Sequence, residues 1–179
     1  MRGFARGVTR RLRRFRIEIT ATSAHSEDMK QRTVPTQFGD LTLSEEEGAI
    51  VSLTWGRAII EDDSTLLDDA ARQLTAYDAG NLEQFDLPLR VNSTEFQRNV
   101  CTAMSAIPFG FTLTYGDIAK KLGVPAQAVG QACGANPIPV IIPCHRVMGA
   151  KGLTGFSGAG GVETKVALLR HEGAAGLLI

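Results

Sequence analysis

The chain has 179 residues, 44% of them hydrophobic, and its 19 basic and 19 acidic side chains leave no net charge. Such a length and balance fit one compact domain or two small ones and exclude a generally disordered chain. No apolar run approaches the roughly 18 residues of a membrane-spanning helix, and three widely spaced cysteines argue against a disulfide framework. A reduced, cytoplasmic protein without a membrane partner is the expectation.

The charge is unevenly placed. Residues 1–17 hold seven arginines and no acid, residues 18–86 four basic and fifteen acidic groups, and residues 87–179 eight basic and four acidic groups. The last segment is therefore the better partner for a polyanion. Residues 1–30 show no sustained core pattern and read as a basic, disordered arm. The arm's composition is also compatible with added affinity for DNA phosphates or with an organelle-targeting peptide.

From Val34 the pattern turns to alternation. Leu41-Thr42-Leu43 and Ile50 to Trp55 read as strands of a hairpin joined through Ser44 to Gly48, followed by a helix from Leu66 to Ala79 with Leu67, Ala70, Ala71 and Leu74 on its apolar face. Gly80 to Leu89 carries turn residues and Pro88, which places a boundary near residue 88. Thr94 is an N-cap candidate for a helix through Phe96, Val100, Met104 and Ile107. Thr114, with Asp117 three residues on, starts a short helix that Gly123 ends, and Pro125 opens another through about Ala135. Helix, tight turn, helix is helix-turn-helix spacing. The second of these helices is built from Ala126, Ala128, Gly130, Ala132, Gly134 and Ala135, a composition that permits close approach by another helix or by DNA.

An apolar run, Pro137 to Ile142, then leads into Pro143-Cys144-His145-Arg146-Val147. The run reads as a buried segment delivering Cys144 to the interior. A free thiol has a pKa of about 8.5 and is a poor nucleophile until a neighbouring base or cation makes the thiolate accessible, which His145 is placed to do. Cys101 lies in an apolar helical pattern and reads as an inert core thiol. No paired Cys or His spacing suggests a metal site, and Gly158-Ala159-Gly160-Gly161 lacks the Lys-Ser/Thr ending of a phosphate loop.

Pro143 to Val147, with Asn136-Pro137, the stretch from Ile107 to Lys121, Gly155-Phe156-Ser157-Gly158 and Leu168 to Gly173, resembles the O6-alkylguanine-DNA alkyltransferase family. The resemblance implies an α/β (α+β) chain. After the arm comes a small N-terminal sheet-plus-helix domain over 31–88, then a mostly helical, winged helix-turn-helix-like catalytic domain over 89–179. It also implies a monomer that acts without metal or organic cofactor on double-stranded DNA containing O6-alkylguanine, with O4-alkylthymine as a second candidate. Cys144 would accept the alkyl group, and His145 would draw off its proton through a water molecule. Glu172 would orient the imidazole, Asn136 brace the cysteine turn and Tyr115 protonate the leaving guanine. The flipped base would meet Pro139, Val147, Ser157 and Gly158; DNA would meet Gln97, Ala126, Gln127 and Gly130 from the minor groove. Gln127 departs from the family, which usually carries an arginine there to fill the space of the flipped base. Glutamine lacks that charge and flat cationic face, so weaker binding or slower flipping is expected.

Three other readings compete: a non-enzymatic protein that flags alkylated bases, a helix-turn-helix regulator with a sensing thiol, and a cysteine hydrolase. The presence of Cys144 argues against the first, the lack of a dimerisation helix or activation region against the second, and the lack of a visible oxyanion site against the third.

Overall fold

The structure is a computed structural model and describes residues 29–153 and 155–174. Residues 1–28 of the expected basic arm lie outside the described residues.

Three antiparallel strands, β1 (Lys30–Thr36), β2 (Gly39–Glu46) and β3 (Ala49–Trp55), form a sheet in the order β1-β2-β3. The sequence suggested only two strands, with a five-residue connection. In the structure a bulge at Ser44/Glu45 lets pairing continue to Glu46, and Glu47 and Gly48 alone make the turn, both at positive φ (48° and 73°). β1 escaped recognition because Pro35 and its polar neighbours disguise it. A proline is tolerated there because β1 is an edge strand.

Helix α1 (Thr65–Asp78) is capped by Ser64, whose hydroxyl accepts from the Leu67 amide, and it buries Leu67, Ala70, Leu74 and Tyr77. These residues and Val34, Leu41, Leu43, Ile50 and Leu53 of the sheet belong to one apolar cluster, which continues into the second half of the chain. The free edge of β3 is covered from that side. Ile50 N donates to Pro88 O (2.8 Å), Arg90 N to Ile50 O (3.0 Å) and Leu53 N to Pro137 O (2.9 Å). The last bond ties the sheet to the segment that leads into Cys144.

In the second half, α2 (Glu95–Ser105) starts at Thr94, as its sequence suggests. α3 (Tyr115–Leu122) opens with a complete capping box between Thr114 and Asp117 and closes at Gly123 in the left-handed region, where a residue without Cβ carries no penalty. Pro125 sits at the cap of α4 (Ala126–Gly134) rather than inside its first turn. The short strands β4 (Leu113–Thr114) and β5 (Val147–Met148) pair in parallel and bring the start of α3 beside a 3-10 turn at Cys144–Arg146. α5 (Val162–His171) follows, with Lys165, Leu168 and Leu169 buried.

Candidate active site

Cys144 is held by a segment that is strained and braced at once. Val140 adopts φ 72°, a conformation rarely tolerated by a β-branched residue. The Asn136 side chain spans the bend: its Nδ2 donates to Ile142 O (2.8 Å) and its Oδ1 accepts from Ile138 N (3.1 Å). Ile138, Val140 and Ile142 are almost fully buried, so packing and the asparagine together fix the approach to the cysteine. Asn136 also hydrogen-bonds the thiol itself.

Next in sequence, His145 is completely buried with Nε2 2.7 Å from Glu172 Oε1. Burial pushes the Glu172 carboxyl up, but hydrogen bonds and charge from His145 and Arg146 override it and hold the group at about 2. It is therefore an anion at neutral pH and can only accept. Nε2 thus carries the proton, and Nδ1, buried and without a hydrogen-bond partner among the described residues, carries the lone pair. Burial holds the imidazole below its ordinary pKa, which keeps it neutral and able to take a proton. Arg146 donates from Nε to Glu172 Oε2 (2.7 Å), from Nη2 to Oε1 (2.9 Å) and from Nη1 to Ile107 O (2.6 Å). Tyr77, from the N-terminal helix, adds a hydroxyl that donates to Oε1 (2.8 Å).

The Cys144 side lines a cavity of about 120 Å³ together with Tyr115, Cys133, Gly155, Phe156 and Ser157. Desolvation keeps the thiol protonated at rest by raising its pKa. The Asn136 hydrogen bond and the positive charge of Lys165 oppose this. Lys165 is 1% exposed and donates from Nζ to Val147 O (2.6 Å). Seven residues separate it from Glu172 near the end of α5, so a single helix delivers the cation toward the sulfur and the anion toward the base. Cys101 and Cys133 are buried thiols pushed up to about 11 and about 12, chiefly by desolvation, and are poor nucleophiles.

A shallow surface groove of about 590 Å³ adjoins this cavity, with Tyr115 and Gly130 lining both. Ala126, Gln127 and Gln131 of α4 line the groove as well. α4 turns Val129, Ala132 and Cys133 inward. A methyl group built on Gly130 or Gly134 would meet nothing within 4 Å. The smallness of these two glycines is thus not required by packing inside the protein; it keeps an outer surface low.

Two family models cover most of the chain. The 6-O-methylguanine DNA methyltransferase DNA-binding domain matches residues 95–174, and the ribonuclease-like domain of the same proteins matches residues 29–91. The methylated-DNA–protein-cysteine methyltransferase of Methanosarcina acetivorans is 45% identical over 143 residues, which cover 74% of this chain and 90% of that protein. The chain belongs to the 6-O-methylguanine DNA methyltransferase family. The Mycobacterium bovis methyltransferase is 42% identical over 151 residues, covering 79% of this chain and 90% of its own length. A crystal structure of the Mycobacterium tuberculosis O6-methylguanine methyltransferase superposes with a TM-score of 0.73 at 40% identity, covering 82% of this chain and 93% of that one. A structure of Mycobacterium tuberculosis OGT in complex with DNA gives 0.73 at 41% identity, covering 81% and 93%. Direct alkyl-transfer repair of DNA is the activity that goes with this methyltransferase family.

Among the residues expected at the methyltransferase site, Cys144, Tyr115 and Ser157 meet in the cavity, and Ala126, Gln127 and Gly130 face the groove. Four others lie elsewhere. Gln97 was expected at DNA, yet it is 6% exposed, and its amide donates to Ala132 O (2.7 Å) and toward Cys101 Sγ (3.7 Å), so it braces α2 against α4. Pro139 is buried in the turn before Ile142 and does not line the cavity. Val147 is fully buried with its carbonyl taken by Lys165. Gly158 lies against the Trp55 ring rather than in the cavity wall. Sequence reasoning also missed Tyr77, Arg146 and Lys165 as parts of the site. Arg146 and Lys165 had readable signals, the first inside the Cys-His motif and the second seven residues before Glu172, whereas nothing local marks Tyr77. No group of three His, Cys, Asp or Glu side chains suited to a metal ion occurs among the described residues, and no described helix is long and apolar enough to cross a membrane.

Proposed function

We propose that this protein repairs double-stranded DNA by moving an alkyl group from guanine O6 onto Cys144 Sγ, once per molecule, as a monomer in the cytoplasm. The observation that carries the proposal is a buried thiol in a cavity that adjoins a low-walled groove, beside a neutral imidazole fixed by an ionised carboxylate. Sulfur attacks the alkyl carbon in line, and the carbon–oxygen bond breaks with its electron pair staying on the purine. The thiol proton passes to His145 Nδ1, directly or through one water. The Tyr115 hydroxyl is the acid that protonates the departing guanine. The thioether formed is stable, so the protein is consumed stoichiometrically.

A lesion inside a duplex is out of reach of a cavity this deep, so the base must leave the stack at a cost of a few kcal/mol. Helix α4 is the element that approaches the DNA, with Ala126, Gln127 and Gly130 foremost. Gly130→Ala is expected to raise thermal stability by about 0.5–1 kcal/mol, because glycine is a poor helix residue. The same change is expected to weaken binding to duplex DNA, measured by fluorescence anisotropy. Gln127→Arg is expected to speed repair of a flipped base, and an unchanged single-turnover rate would refute that role for position 127.

The deciding experiment incubates purified protein with a duplex carrying one O6-methylguanine and follows protein mass together with loss of the lesion. One methyl per molecule, on Cys144 and absent from Cys144→Ala, is the expected result. Lesion-selective binding without transfer would mark a damage-recognition protein instead, and neither binding nor transfer would overturn the reading.

A further inference from the structure

Trp55 is the sole tryptophan of the chain and ends β3, far in sequence from the Cys144 motif. Its indole Nε1 donates to Phe38 O (3.1 Å), which fixes the ring on the N-terminal sheet. The opposite side of that ring meets the loop bordering the cavity. Phe156 packs edge-to-face on it, with centroids 5.8 Å apart and planes at 87°. A Cβ on Gly158 would collide with the Phe156 ring and lie 2.7 and 2.9 Å from two Trp55 ring carbons. Only glycine lets the loop settle this closely. Phe156, which makes that contact, and Ser157, which lies between it and Gly158, are wall residues of the Cys144 cavity.

The cavity, at about 120 Å³, is well below the roughly 300 Å³ at which small-molecule pockets begin. An alkylated purine is therefore better accommodated when the wall moves outward, and the loop is the wall that meets the N-terminal sheet through the Phe156–Trp55 aromatic contact. The segment that leads into Cys144 is bound to the same strand, since Leu53 N donates to Pro137 O (2.9 Å). One strand of the N-terminal sheet thus meets the site twice: at the segment before Cys144 through a backbone hydrogen bond, and at the loop through an aromatic edge.

We propose that Trp55 is a positioning residue which, through Phe156, sets how far this wall opens and so which alkyl groups reach Cys144. This rests on the site reading given above. With Trp55 in place the wall returns to a position suited to a small alkyl group, and a methyl carbon is pressed toward the sulfur. Without it the wall stays open, so methyl transfer loses alignment while a bulky group gains room.

The test compares single-turnover transfer from duplexes carrying O6-methylguanine or O6-benzylguanine, read as adduct mass on Cys144. In Trp55→Ala, methyl transfer is expected to fall about tenfold, as loss of alignment predicts, and the benzyl-to-methyl ratio is expected to rise severalfold. Trp55→Phe, which keeps an aromatic edge for Phe156, should restore most of the original ratio. A purely structural role would lower both rates equally and leave the ratio unchanged, which would overturn the proposal. Wild-type protein that transfers neither group would overturn the site reading and the proposal with it. Should Trp55→Ala not fold, the single tryptophan gives a second measurement in the native chain. Its emission is expected to change when lesion DNA binds and Phe156 moves away, and an emission that stays constant through transfer would equally overturn the role.

Discussion

Glu172→Gln is expected to cost about 3–5 kcal/mol of stability and to slow alkyl transfer a hundredfold or more. The carboxylate is 4% exposed and accepts from Tyr77, His145 and twice from Arg146. A carboxamide keeps one acceptor oxygen and turns an NH2 group toward donors, leaving the buried Arg146 guanidinium without its counterion. The imidazole simultaneously loses the anion that keeps its proton on Nε2, so Nδ1 no longer stays a lone pair. Denaturant unfolding measures the first effect and single-turnover repair the second. A variant that keeps wild-type stability would show that Arg146 finds another partner.

The same carboxylate makes the fold acid-sensitive in a defined window. Its folded pKa of about 2 lies below the ordinary 4.5, so the unfolded chain binds the proton first as pH falls. The contribution is complete above about 4.5 and is lost as pH drops toward 2; it amounts to about 3 kcal/mol. His145 acts at higher pH with the same sign. It is held neutral below its ordinary 6.5, so stability begins to fall as pH drops below 6.5, where the unfolded imidazole already takes a proton. Glu172→Gln should remove the lower of these two declines in a pH series of unfolding curves.

The parts of this protein that were legible in its sequence are those set by short-range chemistry. Thr94, Thr114 with Asp117, and Gly123 announce their helix ends because a cap satisfies free amides or carbonyls within four residues. The apolar run before Cys144 likewise announces its burial. β1 was hidden because an edge strand may carry Pro35 and charged residues, losing the alternation that betrays an inner strand. The packing role of Gln97 was hidden for a related reason. On a helix bordering the DNA-facing unit a polar residue reads as exposed, and only the packing of α2 on α4 shows that its amide meets the Ala132 carbonyl.

Tyr77 and Trp55 were illegible for a stronger reason. Each reaches the site from a unit with no chemistry of its own, across 95 residues to Glu172 in the first case and about 100 to Phe156 in the second. No local pattern records such a contact, since any core tyrosine or strand-end tryptophan would look the same. The N-terminal unit thus meets the site through placement alone: a phenol on the carboxylate, an indole on the pocket wall and a strand edge on Pro137.

Asn136→Ala is expected to be nearly as damaging as loss of Glu172, by another route. The side chain is 9% exposed and satisfies two buried backbone groups, Ile142 O and Ile138 N, on either side of Val140 at φ 72°. Removing it leaves both unpaired, at about 1–3 kcal/mol each, in a bend whose strain of roughly 1–3 kcal/mol then has less to hold it. The segment can relax by returning Val140 to ordinary β space, and that motion carries Cys144 with it. The asparagine is also the side chain that hydrogen-bonds the thiol against the upward push of burial. Transfer should therefore slow by about a hundredfold, a size typical of reacting groups displaced by 1 Å, even where the variant remains folded. Asn136→Asp separates the two contributions: its oxygen still accepts from Ile138 N, but it cannot donate to Ile142 O, and its negative charge disfavours the thiolate. If Asn136→Ala instead lost stability while repairing at the wild-type rate, the asparagine would be a brace for the fold and have no part in aiming the sulfur.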